Sequence, residues 1–348
     1  MGTTVVGVDI GSSAVRAVEV QGYDTPKPVI VRQHEIPLPE SSVRRGEVVE
    51  QSTVATALRR LWSAAGFKSK DVVLGIGGQR VFARDLTVPR APLEQIRESL
   101  PFHVQELLPV PVADVLLDFY PLTEEQSETG SAVGGLLVAG LKEAISANVG
   151  AALSAGLHPI HVDLIPFAVT RALAPQRSSR GRDVIVSLGA NTTNVVVVDN
   201  GVPRFVRILP NGGDDVTRAL ASRLQWAPEQ AEQAKRAIGM GGPMMRPEDR
   251  PIIEIVYEVV GELMAGIRNT LAYYANAHPA APVQRIILSG GGAQLAGLAT
   301  ALGEMTRLSV TPGDALVAVS ASKSRPRAGQ SDQVSYVTAL GLALGSHA

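Results

Sequence analysis

The chain has 348 residues, 45% of them hydrophobic, so it is long enough to bury a large core and to divide into two or more domains. Its 32 Lys and Arg residues nearly balance its 33 Asp and Glu residues, and the formal net charge of −1 gives no electrostatic basis for binding nucleic acid or for a strongly basic membrane-binding patch. The lack of cysteine excludes a thiol nucleophile, a disulfide framework and a thiolate metal site, and fits a cytoplasmic location.

The first predicted element is a hairpin at Val6–Val20 with a glycine in its turn. Asp9 and Arg16 interrupt any signal-peptide core there, and no uncharged apolar run of roughly 18 residues occurs, so we expect a soluble protein. A second hairpin at Asp183–Asp199 repeats the pattern near the middle of the chain. Because backbone N–H groups in such turns can converge on an anion, and glycine lets a phosphate approach closely, both hairpins are candidate phosphate-binding elements.

The two hairpins differ at one chemically important position. Asp9 stands two residues before Gly11, whereas Ser187 stands two residues before Gly189. A duplicated phosphate cradle with one carboxylate missing indicates a nucleotide-binding protein whose hydrolytic activity is open to question.

Hydrophobic periodicity and Gly/Pro punctuation predict alternating strands and helices along the rest of the chain. In the first half, the predicted strands are Val72–Gly77, Ala83–Val88, Val115–Leu122, Leu136–Leu141 and Ile160–Leu164; the predicted helices are Thr53–Ala65 with Ser52 as N-cap, Leu93–Leu108 and Lys142–Ala155; and Thr123–Gly134 is predicted to be a polar, mobile loop. In the second half, the predicted strands are Arg204–Ile208 and Arg285–Ser289; the predicted helices are Val216–Leu224 with Asp214 or Asp215 as N-cap, Glu229–Ile238, Ile252–Ala275, Leu295–Leu302 and Val334–Gly345; and Ser322–Asp332 is expected to be partly disordered.

The order of these elements resembles the actin-like ATPase superfamily. The hairpins match its two phosphate elements, and the strand Arg285–Ser289 followed by three glycines matches its adenosine element. Five further stretches resemble the PilM family of type IV pilus assembly proteins, which is related to FtsA: Leu86–Arg97, Leu107–Pro111, Val115–Phe119, Val162–Ala168 and Gly213–Lys235. The resemblance covers nearly the whole chain and implies an α/β, duplicated actin-like (ribonuclease H-like) two-domain fold with an inserted FtsA/PilM-type subdomain in the first half.

The resemblance also implies a division into domains. Residues 1–82 form a first core subdomain, to which 157–180 and a C-terminal helix at 334–348 return; 83–156 form the inserted subdomain; 181–224 and 276–333 form the second core; and 225–275 form a helical nucleotide-capping subdomain.

ATP and Mg²⁺ are the cofactors that the resemblance implies. Asp9 matches a carboxylate that binds Mg²⁺ through water, although in isolation it could simply stabilise a turn. The residues matched to nucleotide contacts are Gly11, Ser12, Ser13 and Arg16 in the first turn, Gly189, Asn191, Thr192 and Thr193 in the second, and Gly213, Glu232, Lys235, Gly290, Gly291 and Gly292 on the nucleoside side. Plainer interpretations are a solvated Arg16, a polar β-turn at Asn191 and a surface Glu232–Lys235 ion pair, because residues three apart share a helix face.

Two departures from the superfamily pattern concern hydrolysis. Ser187 stands where a Mg²⁺-binding Asp is usual, and Ile165 stands where Glu or Gln usually orients the attacking water. An aliphatic side chain cannot hydrogen-bond water, and water positioning with charge stabilisation supplies most of the catalysis in phosphoryl transfer. We therefore expect ATP binding with slow or absent hydrolysis.

The resemblance implies a cytoplasmic ATP-binding adaptor of the type IV pilus inner-membrane assembly platform. Its expected partner is the N-terminal cytoplasmic tail of a PilN-like membrane protein, through which it would lie at the inner face of the membrane, and pilus motor ATPases are further candidate partners. A peptide groove is predicted along Arg84, Leu86, Val88, Leu117 and Phe119, although a buried sheet face gives the same pattern.

Two alternatives remain open at this point. An FtsA-like cell-division protein is disfavoured because Gly341–Ala348 carries no basic amphipathic helix. A small-molecule kinase or ATPase on the same fold would need a catalytic carboxylate in the cleft, and the sequence offers no clear one.

Overall fold

Two five-stranded sheets dominate the fold, and a smaller sheet is inserted into the first half. The computed structural model describes residues 3–127, 130–174, 181–241, 246–319 and 334–345. The strands are β1 (Thr4–Ile10), β2 (Ala14–Gln21), β3 (Val29–Pro37), β4 (Val43–Arg44), β5 (Glu47–Val48), β6 (Asp71–Ile76), β7 (Val81–Pro89), β8 (Val115–Ser127), β9 (Gly130–Leu141), β10 (His158–Leu164), β11 (Arg182–Leu188), β12 (Thr193–Asp199), β13 (Val202–Leu209), β14 (Val283–Ser289) and β15 (Ser309–Pro312). The helices are α1 (Gln51–Ala65), α2 (Leu93–Val104), α3 (Lys142–Ser154), α4 (Ile165–Leu173), α5 (Gly213–Leu224), α6 (Pro228–Ile238), α7 (Arg250–Ala277), α8 (Leu298–Thr306) and α9 (Val337–Leu344).

The two large sheets share one topology. The first has the strand order β10-β6-β1-β2-β3 and the second β13-β12-β11-β14-β15. In each, the hairpin strands pair antiparallel, a third strand continues the meander, and two later strands add in parallel on the other side. Both hairpins are centred on their glycine turns, so the duplicated α/β fold expected from the sequence is confirmed.

The inserted sheet has the order β7-β9-β8, with α2 packed on one face. The predicted loop Thr123–Gly134 is wrong, because β8 continues to Ser127 and β9 begins at Gly130. Thr123 pairs with Gly134 and Glu124 with Val133, so polar residues extend the ladder on an edge strand where their side chains reach water. The loop was predicted because this segment is polar and rich in Ser and Gly, but backbone pairing between β8 and β9 makes it part of the sheet.

Several predicted helix ends are also wrong. Ser52 lies inside α1, whose N-cap is Glu50, and Thr53 Oγ1 donates to the Glu50 carboxylate at 2.9 Å. The N-cap of α5 is Gly212, and Asp215 accepts a hydrogen bond from the Gly212 N–H at 2.8 Å. In addition, α2 ends at Val104 rather than Leu108, and α8 starts at Leu298 rather than Leu295.

A helix from the far end of the sequence completes the core of the first half. α9 packs against β1 and α4. The fit is backbone to backbone, because a β-carbon on Gly7 would overlap the Ala339 carbonyl and one on Gly341 would overlap the Ala168 carbonyl. Glycine is therefore required at both crossings. Residues 322–332, predicted to be partly disordered, lie outside the described residues.

No helix in the described part of the chain is both long and apolar enough to cross a membrane. The predicted domain boundaries stay a prediction.

Candidate functional site

The two hairpin turns have the same local geometry. The N–H of Gly11 donates to the carbonyl of Ala14 at 3.1 Å, and the N–H of Gly189 donates to the carbonyl of Thr192 at 2.9 Å. Each turn is therefore closed by one main-chain bond made by its glycine. The two turns therefore repeat one main-chain closure, in line with the duplicated fold.

Arg16 lies over the first turn. A β-carbon on Gly11 would lie 3.7 Å from Nη1 of Arg16, while Nε of Arg16 donates to Glu35 at 2.9 Å. The guanidinium thus keeps donors close to the turn. Ser12 and Ser13 form the rest of the turn and are not buried.

Asp9 stands opposite Arg16 in the hairpin register. Burial raises the pKa of the Asp9 carboxyl, and the positive charge of Arg16 opposes that rise. Among the residues that the structure describes, no three His, Asp or Glu side chains form a group able to hold a metal ion. A Mg²⁺ ion near Asp9 would need phosphate oxygens and water for most of its ligands.

The start of α5 docks on the second turn. The N–H of Gly213 donates to the Gly189 carbonyl at 2.9 Å, and the N–H of Asp214 donates to the Ala190 carbonyl at 2.8 Å. Gly212 permits this approach, because a β-carbon there would overlap the Ala190 carbonyl. The backbone of the turn is thereby fixed by the helix that follows the meander.

Side chains of the second turn have different surroundings. Thr193 is fully buried and donates to the Asn211 carbonyl at 2.8 Å, so it positions the turn in this state rather than offering its hydroxyl to a ligand. Asn191 is half-buried: its Nδ2 donates to Asp214 at 2.9 Å and its Oδ1 accepts from the N–H of Arg45 at 3.3 Å. Thr192 is also half-buried beside it.

Gly213 lies where three elements that the resemblance matched to nucleotide binding come together. A β-carbon on Gly213 would lie 3.8 Å from Cα of Gly292 and 3.8 Å from Nζ of Lys235. Lys235 donates to the Gly213 carbonyl at 3.1 Å and to Thr217 at 2.9 Å. The second turn, α6 and the glycine triplet therefore converge, although they are far apart in sequence.

Glu232 is the acceptor at the centre of a charged network. Its carboxylate accepts from Thr217 at 2.6 Å and Arg236 at 2.7 Å and pairs with Lys235 at 2.5 Å. Burial acts to raise the pKa of Glu232, but the hydrogen bonds from Lys235, Thr217 and Arg236 together lower it to about 2. The carboxylate is fully ionised at neutral pH, and it holds Lys235 in place.

The three consecutive glycines have different roles. Gly290 has a φ of +86°, and a β-carbon there would overlap the Leu188 carbonyl. A β-carbon on Gly292 would overlap the Leu188 side chain, whereas one on Gly291 would meet nothing within 4 Å. Gly290 and Gly292 are required by the fold, and Gly291 leaves open space that a flat ligand could use.

Where a water-activating group is expected, the site is neutral. Ser187 is buried and is flanked in register by Asn194 and Ser289. Asn194 Oδ1 and Ser289 Oγ are buried without a hydrogen-bond partner in the described parts of the chain. These three positions give a row of polar side chains without a charge.

Ile165 begins α4 and lies against the end of β6. A β-carbon on Gly77 would lie 2.9 Å from Cδ1 of Ile165, and one on Gly75 would lie 3.0 Å from its Cγ1. The aliphatic side chain is packed against glycine backbone, so this position cannot orient a water molecule.

The residues predicted to line a peptide groove do not form an open surface. Val88 and Phe119 are buried in the apolar cluster beneath α2, and Leu86 and Leu117 pack against it. Arg84 is exposed and donates to the Leu107 carbonyl at 3.3 Å. Alternating residues on these strands face α2, so the pattern is that of a covered sheet face.

Two residues of the site were not predicted. Thr217 connects Glu232 to Lys235, and its spacing in α5 gave no signal. Arg45 contacts Asn191 from the β4–β5 turn, and Gly46 at the second turn position was the only local signal for that hairpin.

Comparison with known structures defines the class: this is a protein of the actin-like ATPase fold. A solved structure described as a PilM-PilN type IV pilus biogenesis complex is 28% identical, with a TM-score of 0.84, and the match covers 98% of this chain and 97% of that one. The ethanolamine utilization protein EutJ from Carboxydothermus hydrogenoformans is similar in fold, with 16% identity, a TM-score of 0.59 and coverage of 99% and 90%.

The family follows from the sequence match. The model of the type IV pilus assembly protein PilM family matches residues 7–347, and the chain belongs to that family. The cell division protein FtsA of Bacillus subtilis is 21% identical over 258 residues, which are 67% of this chain and 58% of FtsA. The chain thus spans less than two thirds of the length of this FtsA relative. The relationship to FtsA expected from the sequence is confirmed.

Proposed function

We propose that the protein is an ATP-binding scaffold of type IV pilus assembly that binds ATP with Mg²⁺ in the cleft between the two large sheets. The observation that carries this proposal is the convergence at Gly213, where the second turn, the glycine triplet and Lys235 come together. Actin-like ATPase folds generally bind a nucleotide with a metal ion. The open space at Gly291 is on the side where the base and ribose would lie.

Phosphates would be held by the two turns. Gly11 and Gly189, whose N–H groups close the turns, would let a phosphate approach the backbone. The donors would come from Ser12, Ser13 and Arg16 in the first turn and from Asn191 and Thr192 in the second. Main-chain N–H groups and a guanidinium are strong donors to phosphate oxygens. Asp9 would bind the Mg²⁺ through water.

Hydrolysis would be slow or absent. Ser187 lacks the charge to hold the metal, and Ile165 is apolar where a water-orienting group is needed. Steady-state turnover near the median of enzymes, on the order of 10 s⁻¹, would contradict this part of the proposal.

The expected partner is the N-terminal cytoplasmic tail of a PilN-like membrane protein, which would bring the chain to the inner face of the membrane. The whole-chain similarity to a protein solved in a PilM-PilN complex supports it. Binding of pilus motor ATPases stays a prediction.

Calorimetric titration tests both ligands. ATP with Mg²⁺ is titrated into the full chain, and a PilN-like N-terminal peptide is then titrated with and without saturating nucleotide. We expect both to bind. Failure of ATP to bind at millimolar concentration overturns the nucleotide site, and failure of the peptide to bind in either state overturns the adaptor function.

A further inference from the structure

The β4–β5 hairpin occupies a position that the proposed function does not explain. Its two-residue turn is Arg45-Gly46, with φ of +53° and +84°. Both residues are left-handed, as in a type I′ turn, and this conformation is unfavourable for a non-glycine residue such as Arg45. Strained residues persist where the surroundings over-determine them, and they cluster at ligand sites and switches.

One side of the turn contacts the second phosphate turn. The N–H of Arg45 donates to Oδ1 of Asn191 at 3.3 Å, and Asn191 also holds Asp214 at the start of α5. Arg45 and Asn191 are separated by 146 positions in sequence and belong to different halves of the fold. This hydrogen bond therefore crosses the cleft.

The other side of the turn contacts the first connection to the inserted sheet, residues 77–80 between β6 and β7. Nη1 of Arg45 donates to Oε1 of Gln79 at 2.8 Å. A β-carbon on Gly46 would lie 2.9 Å from Cα of Gly78, and one on Gly78 would overlap the Arg45 carbonyl. The two backbones are thus in direct contact with no side chain between them.

The hairpin also reaches the second connection, where β9 passes into α3. Arg80 pairs with Glu47 at 3.3 Å and with Glu143 at 3.0 Å, and Asn148 accepts from the N–H of Val48 at 3.2 Å. One short element therefore touches the second phosphate turn and both connections of the inserted sheet.

We propose that the β4–β5 hairpin is a mechanical relay that couples nucleotide at the second turn to the orientation of the inserted sheet. A phosphate that draws Asn191 toward itself would change the hydrogen bond to Arg45, and Gln79 and Gly78 would transmit the shift to β7. The relay rests on the proposed nucleotide site and explains how its occupancy would reach the inserted sheet. Coupling between two sites requires an element that can adopt two arrangements, and each site must favour one arrangement over the other.

Amide hydrogen exchange of the full chain tests the relay. Saturating ATP with Mg²⁺ is expected to change the exchange rates of amides in β7 and β9 by about fivefold or more, the lower end of typical coupling between sites.

Gln79→Met removes the acceptor for Arg45 at similar volume on an exposed turn. We expect it to bind ATP within about twofold of the wild type and to lose the change in β7 and β9. Gln105→Met, at the exposed end of α2, is the matched control and should keep it.

Arg45→Gly provides a second variant that keeps the fold. Glycine accepts the left-handed φ and retains the N–H that binds Asn191, but it lacks the guanidinium. Loss of the exchange change in both variants supports the relay. Wild-type protein that binds ATP without altering β7 and β9, or variants that keep the full change, overturn the relay and leave nucleotide binding intact. If the wild type does not bind ATP at all, the relay and the proposed site both fail.

Discussion

The substitution Gly291→Ala tests whether Gly291 faces the nucleotide, in contrast to Gly290 and Gly292, which the fold requires. A β-carbon at this position meets no atom within 4 Å, so Gly291→Ala should fold normally. Stability should be unchanged or raised by about 0.4–1 kcal/mol, because alanine restricts the unfolded chain. If the nucleoside lies against this backbone, the added methyl group should cost binding about 1–3 kcal/mol, which is the usual cost of overpacking. We expect ATP to bind roughly 5- to 150-fold more weakly by calorimetry.

Two matched substitutions make the Gly291 result interpretable. Gly290→Ala forces alanine to a φ of +86° against the Leu188 carbonyl, and it should destabilise the protein by about 2 kcal/mol or more. Gly261→Ala, on α7 where a β-carbon also meets nothing within 4 Å, should be stabilising by up to about 1 kcal/mol and should leave ATP affinity unchanged. ATP affinity within twofold of wild type for Gly291→Ala would refute the placement of the nucleoside at the triplet.

Three further outcomes follow from the site. The pKa of Glu232 is about 2 in the fold against 4.5 ordinarily, so its stabilisation is complete above about pH 4.5 and is lost as pH falls toward 2. Allowing for the partial exposure of this side chain, the loss should be about 1–2 kcal/mol in acid denaturation, and Glu232→Gln should remove this part of the pH dependence. Thr193→Val should cost about 0.5–1.5 kcal/mol in urea unfolding because the fully buried Thr193 loses its hydrogen bond to the Asn211 carbonyl. Thr56→Val, at an exposed hydroxyl, should cost less than about 0.5 kcal/mol, and equal losses would contradict this difference. Arg16→Gln should weaken ATP binding about tenfold or more. Glu35→Gln should strengthen it a few-fold, because Glu35 competes with phosphate for the Arg16 guanidinium. The opposite sign in either titration would show that Arg16 does not bind phosphate.

Local pattern predicted most of the elements because their signals lie within a few residues of one another. The hairpins around Gly11 and Gly189 were predicted from two strand-like apolar runs on either side of a glycine turn, and their strand pairing fits that pattern. The element predictions failed where tertiary pairing outweighed a local sequence preference. Thr123 and Glu124 look like loop residues, yet β9 supplies backbone partners for them. Likewise, Ser52 is a good N-cap in sequence, but α1 begins at Gln51 and its N-cap is Glu50, two residues earlier.

Prediction of the site was limited by long-range geometry. The resemblance indicated Gly213, Lys235 and the glycine triplet separately, and only the structure shows that they meet. The contact between Arg45 and Asn191 spans 146 positions, and no periodicity could reveal it. Strand alternation at Val88 and Phe119 gave the correct face but could not tell a groove from a face covered by a helix.

The packing of α9 on β1 determines when the first half can fold during synthesis. Gly7 and Gly341 let backbones that lie at opposite ends of the sequence touch, so the core around β1 stays incomplete until the whole second half has left the ribosome. Until then the apolar face of α4 that receives α9 is open to water, which makes the nascent chain a candidate for chaperone binding. Such non-local closure also predicts slow folding, because the entropy of ordering the intervening chain must be overcome before the helix docks. The second half, whose sheet and helices are contiguous in sequence, would fold first.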